Sequence, residues 1–173
     1  MSRQRELIPL VVGRIAECGV AVGLILAGSA RYGYEVLDSD LDFFAIGGRG
    51  LEAALDEFTL VSEKNECNVL QTQRWGVVVS IGYWSAEGME RILARRPYML
   101  YPVLDGDLVY DPTGTAAGFL GRIRRYFQGR PHLIRAWAHQ MQERRRFKIG
   151  EITCLEFPEW SDFLRHLEET GQV

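Results

Sequence analysis

The sequence predicts an α/β fold, a small mixed β-sheet flanked by helices, with further helices at the C-terminal end. Three observations carry this. Short apolar runs bounded by turn residues recur at residues 20–27, 40–46, 69–73 and 77–84, the pattern of buried strands. Segments with apolar residues at helical spacing alternate with them. Beyond residue 128 only helical patterns follow. The expected division is a core over residues 1–128 and a helical extension over 129–173.

The elements follow in order. Residues 7–18 read as a helix stopped by Gly19. Pro9 requires the helix to start close by, because proline fits only the first turn. Residues 20–27 form a continuous apolar run ending at Gly28, a buried strand, and residues 29–35 open a short helix on that turn. Asp38 and Ser39 supply turn chemistry. Residues 40–46 make a second strand and 51–58 a helix. Two strands, 69–73 and 77–84, join near Trp75 and Gly76. Ser85 is placed to cap a helix running to residue 96, which Pro97 ends. A short strand at 107–110, a turn from Asp111 to Gly114 and a helix to Phe127 close the core. A longer helix over 131–147 and a last one over 158–169 are expected in the extension.

Composition narrows the function classes. With 47% hydrophobic and 25% charged residues, the chain has material for a core and no disordered bias. A formal net charge of −3 argues against holding nucleic acid by bulk electrostatics. It is compatible with a small nucleotide held through a metal. Cys18, Cys67 and Cys154 are widely spaced and form no CxxC pair, which fits a reducing, cytoplasmic compartment. The charged start lacks a signal-peptide pattern. No apolar run reaches the roughly 18 residues that span a bilayer, so no membrane partner is expected.

The chemistry-bearing residues cluster between the first two strands. Gly28 lets the backbone approach a ligand closely. Ser29 opens a helix whose unpaired amides favour a phosphate. Asp40 and Asp42 lie two apart on a strand, so their side chains share one face. Two carboxylates so placed repel each other and attract a hard divalent cation. A phosphate cradle beside a carboxylate pair is what metal-assisted nucleotidyl transfer requires.

Gly28-Ser29, the ten residues from Ala30 to Ser39, and Asp40-Leu41-Asp42 resemble the motif of the nucleotidyltransferase superfamily, specifically its small bacterial, minimal and antibiotic-modifying members. A looser likeness lies in Leu108-Val109-Tyr110-Asp111-Pro112-Thr113-Gly114 and the apolar-basic helix after it. The resemblance implies that Ser29 contacts nucleotide phosphates and that Asp40 and Asp42 hold Mg²⁺. An NMP, most often AMP, would then pass from an NTP to an acceptor hydroxyl on a small molecule or a protein. Arg31, beside the turn, is a second candidate for the triphosphate.

The resemblance also implies a third carboxylate, from a later strand. The segment expected to supply it, residues 77–83, contains no acid, and Ser80 or Gly82 takes the place. Glu66 and Glu87 are the nearest acids in sequence. The alternative reading is therefore a catalytically impaired protein of the same fold, acting as a nucleotide-binding, antitoxin-like or regulatory module. The partners expected are a nucleotide and an acceptor of unknown identity. The segment after residue 128 leaves limited room for an acceptor domain unless a homodimer supplies it.

The remaining polar and aromatic candidates have plainer readings. Lys64, Arg74 and the run Arg144-Arg145-Arg146 read as surface charge. His132, His139 and His166 lack metal-ligand spacing, and His132, at a helix start, is expected to face solvent. Trp75, Trp84, Trp137 and Trp160 read as core or interface anchors. Tyr32 and Tyr34 lie close to the motif without a sequence signal for base stacking.

Overall fold

A computed structural model describes residues 2–33, 35, 39–47, 50–64, 67–95, 97–133, 135, 142 and 146. Helix α1 (Arg3–Cys18) leads into β1 (Ala21–Leu26), a one-turn α2 (Gly28–Tyr32) and β2 (Leu41–Gly47). A short α3 (Leu51–Ala54) precedes β3 (Thr59–Lys64), β4 (Cys67–Thr72) and β5 (Val79–Ser85). Helix α4 (Ala86–Arg95), a 3₁₀ segment (Pro97–Val103), β6 (Asp107–Tyr110) and α5 (Thr115–Gln128) complete the core. Residues 131–133, 135, 142 and 146 are helical. The last expected helix, over 158–169, lies outside the described residues.

The six strands form one mixed sheet in the order β3-β4-β5-β2-β1-β6. Only β2 and β5 run parallel; every other neighbouring pair is antiparallel. Helices cover both faces. Val11 and Ile15 of α1 pack with Leu24, Leu41, Phe43, Val79 and Ile81 on one side. Met89 and Ile92 of α4 and Phe119, Ile123 and Phe127 of α5 pack with Ile25, Ile46 and Trp84 on the other. Burial on both faces explains why the central strands read as near-continuous apolar runs. Leu133, fully buried, carries the second core into the start of the C-terminal extension. No helix among the described residues is long and apolar enough to cross a membrane.

Local chemistry accounts for most element ends. Ser85 closes β5 and caps α4, its Oγ accepting from the Gly88 amide at 3.0 Å. Asp111 caps α5 from outside the helix, accepting from the amides of Ala116 and Ala117 at 3.3 and 2.9 Å. Helix α1 starts four residues earlier than expected because Ser2 caps it, accepting from the Arg5 amide. Pro9 consequently falls inside the helix instead of in its first turn.

Two elements depart further from expectation. The helix expected over 51–58 ends at Ala54. Leu51, Leu55 and Phe58 are all buried, so their spacing mimics a helix, but Leu55 leaves helical geometry at φ −114°, ψ 71°. The chain then forms β3, which alternation does not reveal. A bulge between Leu60 and Ser62 breaks its period, and Leu60 and Val61 stand 40% and 51% exposed on this edge strand.

Arg14 ties α1 to the segment between α3 and β3. It grips Glu57 with two parallel bonds, Nε to Oε1 at 2.7 Å and Nη2 to Oε2 at 2.9 Å. The Glu57 side chain is only 3% exposed, and the Arg14 guanidinium draws its carboxyl down from 4.5 to about 2. A depressed carboxyl favours the fold above its unfolded pKa and loses that contribution as pH falls through the folded value. Stability from this pair should therefore be complete above about pH 4.5 and vanish toward about pH 2. Melting temperatures between pH 6 and pH 2 should fall less steeply below pH 4.5 in Glu57→Gln than in the unmodified chain; parallel curves would show the pair to be inert.

Candidate functional site

The Gly28-Ser29 turn and the Asp40/Asp42 pair meet at one end of the sheet. Strand β1 ends where β2 begins, and the Ala27 amide donates to the Asp42 carbonyl at 2.9 Å. Gly28 adopts φ +64°, and a Cβ there would collide with Asp42 Oδ2. The bare Cα is what allows the carboxylate to lie against the turn. Burial alternates along the strand entry: Ser39, Leu41 and Phe43 are buried, whereas Asp40 and Asp42 are half-buried. Both aspartates thus belong to the same, less covered face.

Ser29 is 7% exposed. Its Oγ is buried and has no hydrogen-bond partner among the described residues. Such an unmet hydroxyl costs about 1–3 kcal/mol, and a ligand oxygen reaching the turn would satisfy it. The helix that Ser29 opens is shorter than expected. It stops at Tyr32, with Gly33 at φ 73°. One turn carries little dipole, so the Ser29 hydroxyl and the turn backbone are the polar groups that remain here.

Arg31 is turned to structural partners. Its Nε donates to the Asp105 carbonyl at 2.8 Å and its Nη2 pairs with Asp107 at 3.2 Å. Tyr32 donates its hydroxyl to Asp105 Oδ2 at 2.9 Å. These bonds fasten α2 to the turn before β6. A shallow depression of about 320 Å³ lies beside them, Arg5, Leu26 and Arg31 among its lining. Leu26 belongs to the α1 face of the sheet, so this depression is separate from the aspartate pair.

The strand register identifies what stands beside Asp42. On β5, Ser80 is directly opposite Asp42 and Gly82 opposite Phe44. On β4, Gln71 is opposite Ser80, and its Nε2 donates to Ser80 Oγ at 3.4 Å. A row Asp42–Ser80–Gln71 therefore crosses three strands on one face. Gly82 has a different task. A Cβ there would come 2.6 Å from the Phe44 ring, which stacks on Trp84 at 5.0 Å. Of the two positions expected to take the third acid's place, Ser80 is the one level with Asp42.

Glu87 does not join this row. Glu87 sits in the first turn of α4, at the opposite end of β5 and roughly 20 Å along the chain from Ser80. Glu66 lies outside the described residues, as do Tyr34, Trp137, His139, Arg144, Arg145, Trp160 and His166. Among the described residues no group of three or more His, Cys, Asp or Glu is placed to hold a metal. Arg74 is exposed on the β4–β5 turn, its amide donating to Thr72 Oγ1 at 3.2 Å. Lys64 ends β3 on the far edge of the sheet. Trp75 packs edge-on against Phe58 at 6.1 Å. His132 is half-buried instead of solvent-facing, with Nε2 enclosed and without a partner among the described residues. Its neighbour Leu133 draws this stretch against the second core. Burial pushes the Cys67 thiol up to about 11, which makes it unreactive.

Sequence reading missed a set of residues around the site. Ser2 donates its hydroxyl to Glu35 Oε1 at 2.6 Å. Arg3 Nη2 donates to the Trp75 carbonyl at 2.9 Å. Gln4 Nε2 donates to the Ser39 carbonyl at 3.0 Å, and Gln4 itself is 3% exposed. Arg5 donates to Glu35 at 3.0 Å and to the Ala30 carbonyl at 3.2 Å. Burial raises the Glu35 carboxyl, but the Ser2 hydroxyl, its own backbone and Arg5 outweigh this and hold it below the usual range. The one sequence signal is the polar string Ser2 to Glu6, which reads equally as solvated charge.

No protein-family model matches the chain, and no curated protein sequence matches it. Among solved structures it is similar to a nucleotidyltransferase-like protein from Exiguobacterium sibiricum 255-15, with 14% identity and a TM-score of 0.45, over 71% of this chain and 39% of that one. It is also similar to the Cid1 poly(U) polymerase, with 14% identity and a TM-score of 0.38, over 57% of this chain and 36% of that one. The chain thus spans well under half the length of either neighbour.

The contact between Gly28 and Asp42 makes a direct prediction. Gly28→Ala forces an L-residue into left-handed geometry and drives its Cβ into the carboxylate. The expected loss is about 1–3 kcal/mol of stability, with displacement of Asp42. Denaturant unfolding measures the first. A Gly28→Ala protein as stable as the parent would mean that the turn does not hold Asp42 in solution.

Proposed function

We propose that the protein is a Mg²⁺-dependent nucleotidyltransferase that moves an NMP, AMP in the first instance, from an NTP to an acceptor on a small molecule or a protein. The observation that supports this best is the juxtaposition of a buried Ser29 hydroxyl, without a hydrogen-bond partner among the described residues, with the Asp40/Asp42 pair across a glycine turn. The donor set fits the ion. Mg²⁺ takes one or two carboxylates and completes its shell with water and substrate phosphates, so two aspartates are a sufficient protein contribution.

In this reading Asp40 and Asp42 hold the ion, and Ser29 and the turn backbone bind phosphate oxygens. The ion, when bound, neutralises charge developing on the attacking and leaving oxygens. The acceptor hydroxyl oxygen bonds to the α-phosphorus and gives its proton to water as the bond to the bridging α,β-oxygen breaks, and pyrophosphate leaves with that electron pair. Ser80 and Gln71, level with Asp42, are neutral and offer hydrogen bonds rather than proton abstraction. A missing general base typically costs about 10²- to 10⁴-fold in rate. That observation favours the second reading, a module of the same fold that binds nucleotide with little or no turnover.

Three measurements test the proposal. Calorimetric titration with ATP, GTP, CTP and UTP should show Mg²⁺-dependent binding that disappears in Asp40→Asn/Asp42→Asn, and binding that is equally strong without Mg²⁺ would sink the reading. Ser80→Asp should place a third carboxylate beside Asp42 and raise the affinity for Mn²⁺, followed by its electron paramagnetic resonance, by about tenfold. An unchanged affinity would remove the metal from this end of the sheet. Pyrophosphate release by the unmodified protein separates transfer from binding alone.

A further inference from the structure

We infer that Gln4 and Arg5, in the first turn of α1, are positioning residues that hold both flanks of the nucleotide site. The inference rests on the nucleotide-site reading above and adds to it a role for a helix that contributes no ligand. Four consecutive residues grip segments distant in sequence at one end of the sheet. Ser2 and Arg5 hold Glu35, Arg3 holds the Trp75 carbonyl, and Gln4 holds the Ser39 carbonyl. Arg5 also holds the Ala30 carbonyl.

The targets decide the reading. Ser39 immediately precedes Asp40, and Ala30 immediately follows Ser29. Asp40, one of the two residues proposed to meet the metal, and Ser29, proposed to meet the phosphate, therefore each adjoin a residue whose carbonyl α1 fixes. Ala30 lies in α2 and Ser39 just before β2, so neither carbonyl belongs to a strand. The Gln4–Ser39 bond is buried, where a hydrogen bond is least exchanged with water. Close fit adds to it. A Cβ on Gly33 would come 2.9 Å from Arg5 Nη2, and one on Gly76 would come 2.5 Å from Arg3 Nη2, so the glycines let the two guanidiniums come close to their turns. Groups that orient ligand-bearing residues typically affect affinity by about 10- to 100-fold when removed.

The test compares Gln4→Met, which keeps the bulk and removes the donor, with Arg14→Met, which breaks the remote Glu57 bridge. Melting temperature, Mg·ATP affinity by titration calorimetry and amide hydrogen exchange are measured on all three proteins, well below the lowest melting temperature. The expected result is a dissociation constant about tenfold or more higher in Gln4→Met, with faster exchange over residues 28–33 and 39–42. Arg14→Met should lower the melting temperature while leaving affinity and that exchange at the parental level. Parental affinity or parental exchange in Gln4→Met would overturn the inference. So would an equal loss of affinity in Arg14→Met, which would make the effect one of general stability. Should the unmodified protein bind no nucleotide, the nucleotide reading fails by itself. Exchange then decides the positioning role alone: faster exchange over those two segments upholds it, and parental exchange ends it.

Discussion

The pairing of β2 with β5 is the constraint on which the rest of the molecule depends. It is the single parallel contact in the sheet, in register from Leu41 with Val79 to Gly47 with Ser85. Parallel neighbours cannot be joined by a tight turn, so the chain must leave β2, travel through α3, β3 and β4, and return. The excursion builds one edge of the sheet, while β1 and β6 build the other. Both strands enter at the same end, and this brings Asp42 and Ser80 side by side. Had the two strands paired antiparallel over the same span, the start of β2 would face the end of β5, and Trp84 would stand where Ser80 does.

The sequence made some of this plain and hid the rest for physical reasons. Strands buried on both faces show as continuous apolar runs, and β1, β2 and β5 were legible for that reason. The caps were legible where a short polar side chain meets a helix start, as at Ser85. The edge strand β3 was not, because its exposed face and its bulge at Leu60 and Ser62 remove the alternation that a strand pattern needs. At α3 the apolar spacing of Leu51, Leu55 and Phe58 reports burial correctly and conformation wrongly. Periodicity records which residues face a core, and a turn followed by a strand entry can place them there as well as a helix can.

The candidate site divides along the same line. Gly28, Ser29, Asp40 and Asp42 are neighbours across one turn, so local spacing was enough to bring them together. The identity of the residue beside Asp42 depends on register between strands far apart in sequence, which spacing does not encode. The structure selects Ser80 and gives Gly82 a separate reason, the room it leaves for the Phe44 ring on Trp84. Arg31 adds contacts that spacing does not encode. Proximity in sequence made it a phosphate candidate, and two acidic-loop partners, the Asp105 carbonyl and Asp107, claim it in the fold.

The grip of the first helical turn on distant loops also sets an order of events. Gln4 meets Ser39 across 35 residues, and Arg3 meets Trp75 across 72. Local helix forms in under a microsecond, whereas contacts of large sequence separation wait for the chain between them to be arranged. Helix α1 and the Gly28 turn can therefore exist long before they are joined. The alignment of Ser29 with Asp40 therefore depends on contacts that the local elements cannot make by themselves. A chain still being completed would carry every residue of the site without yet having the site.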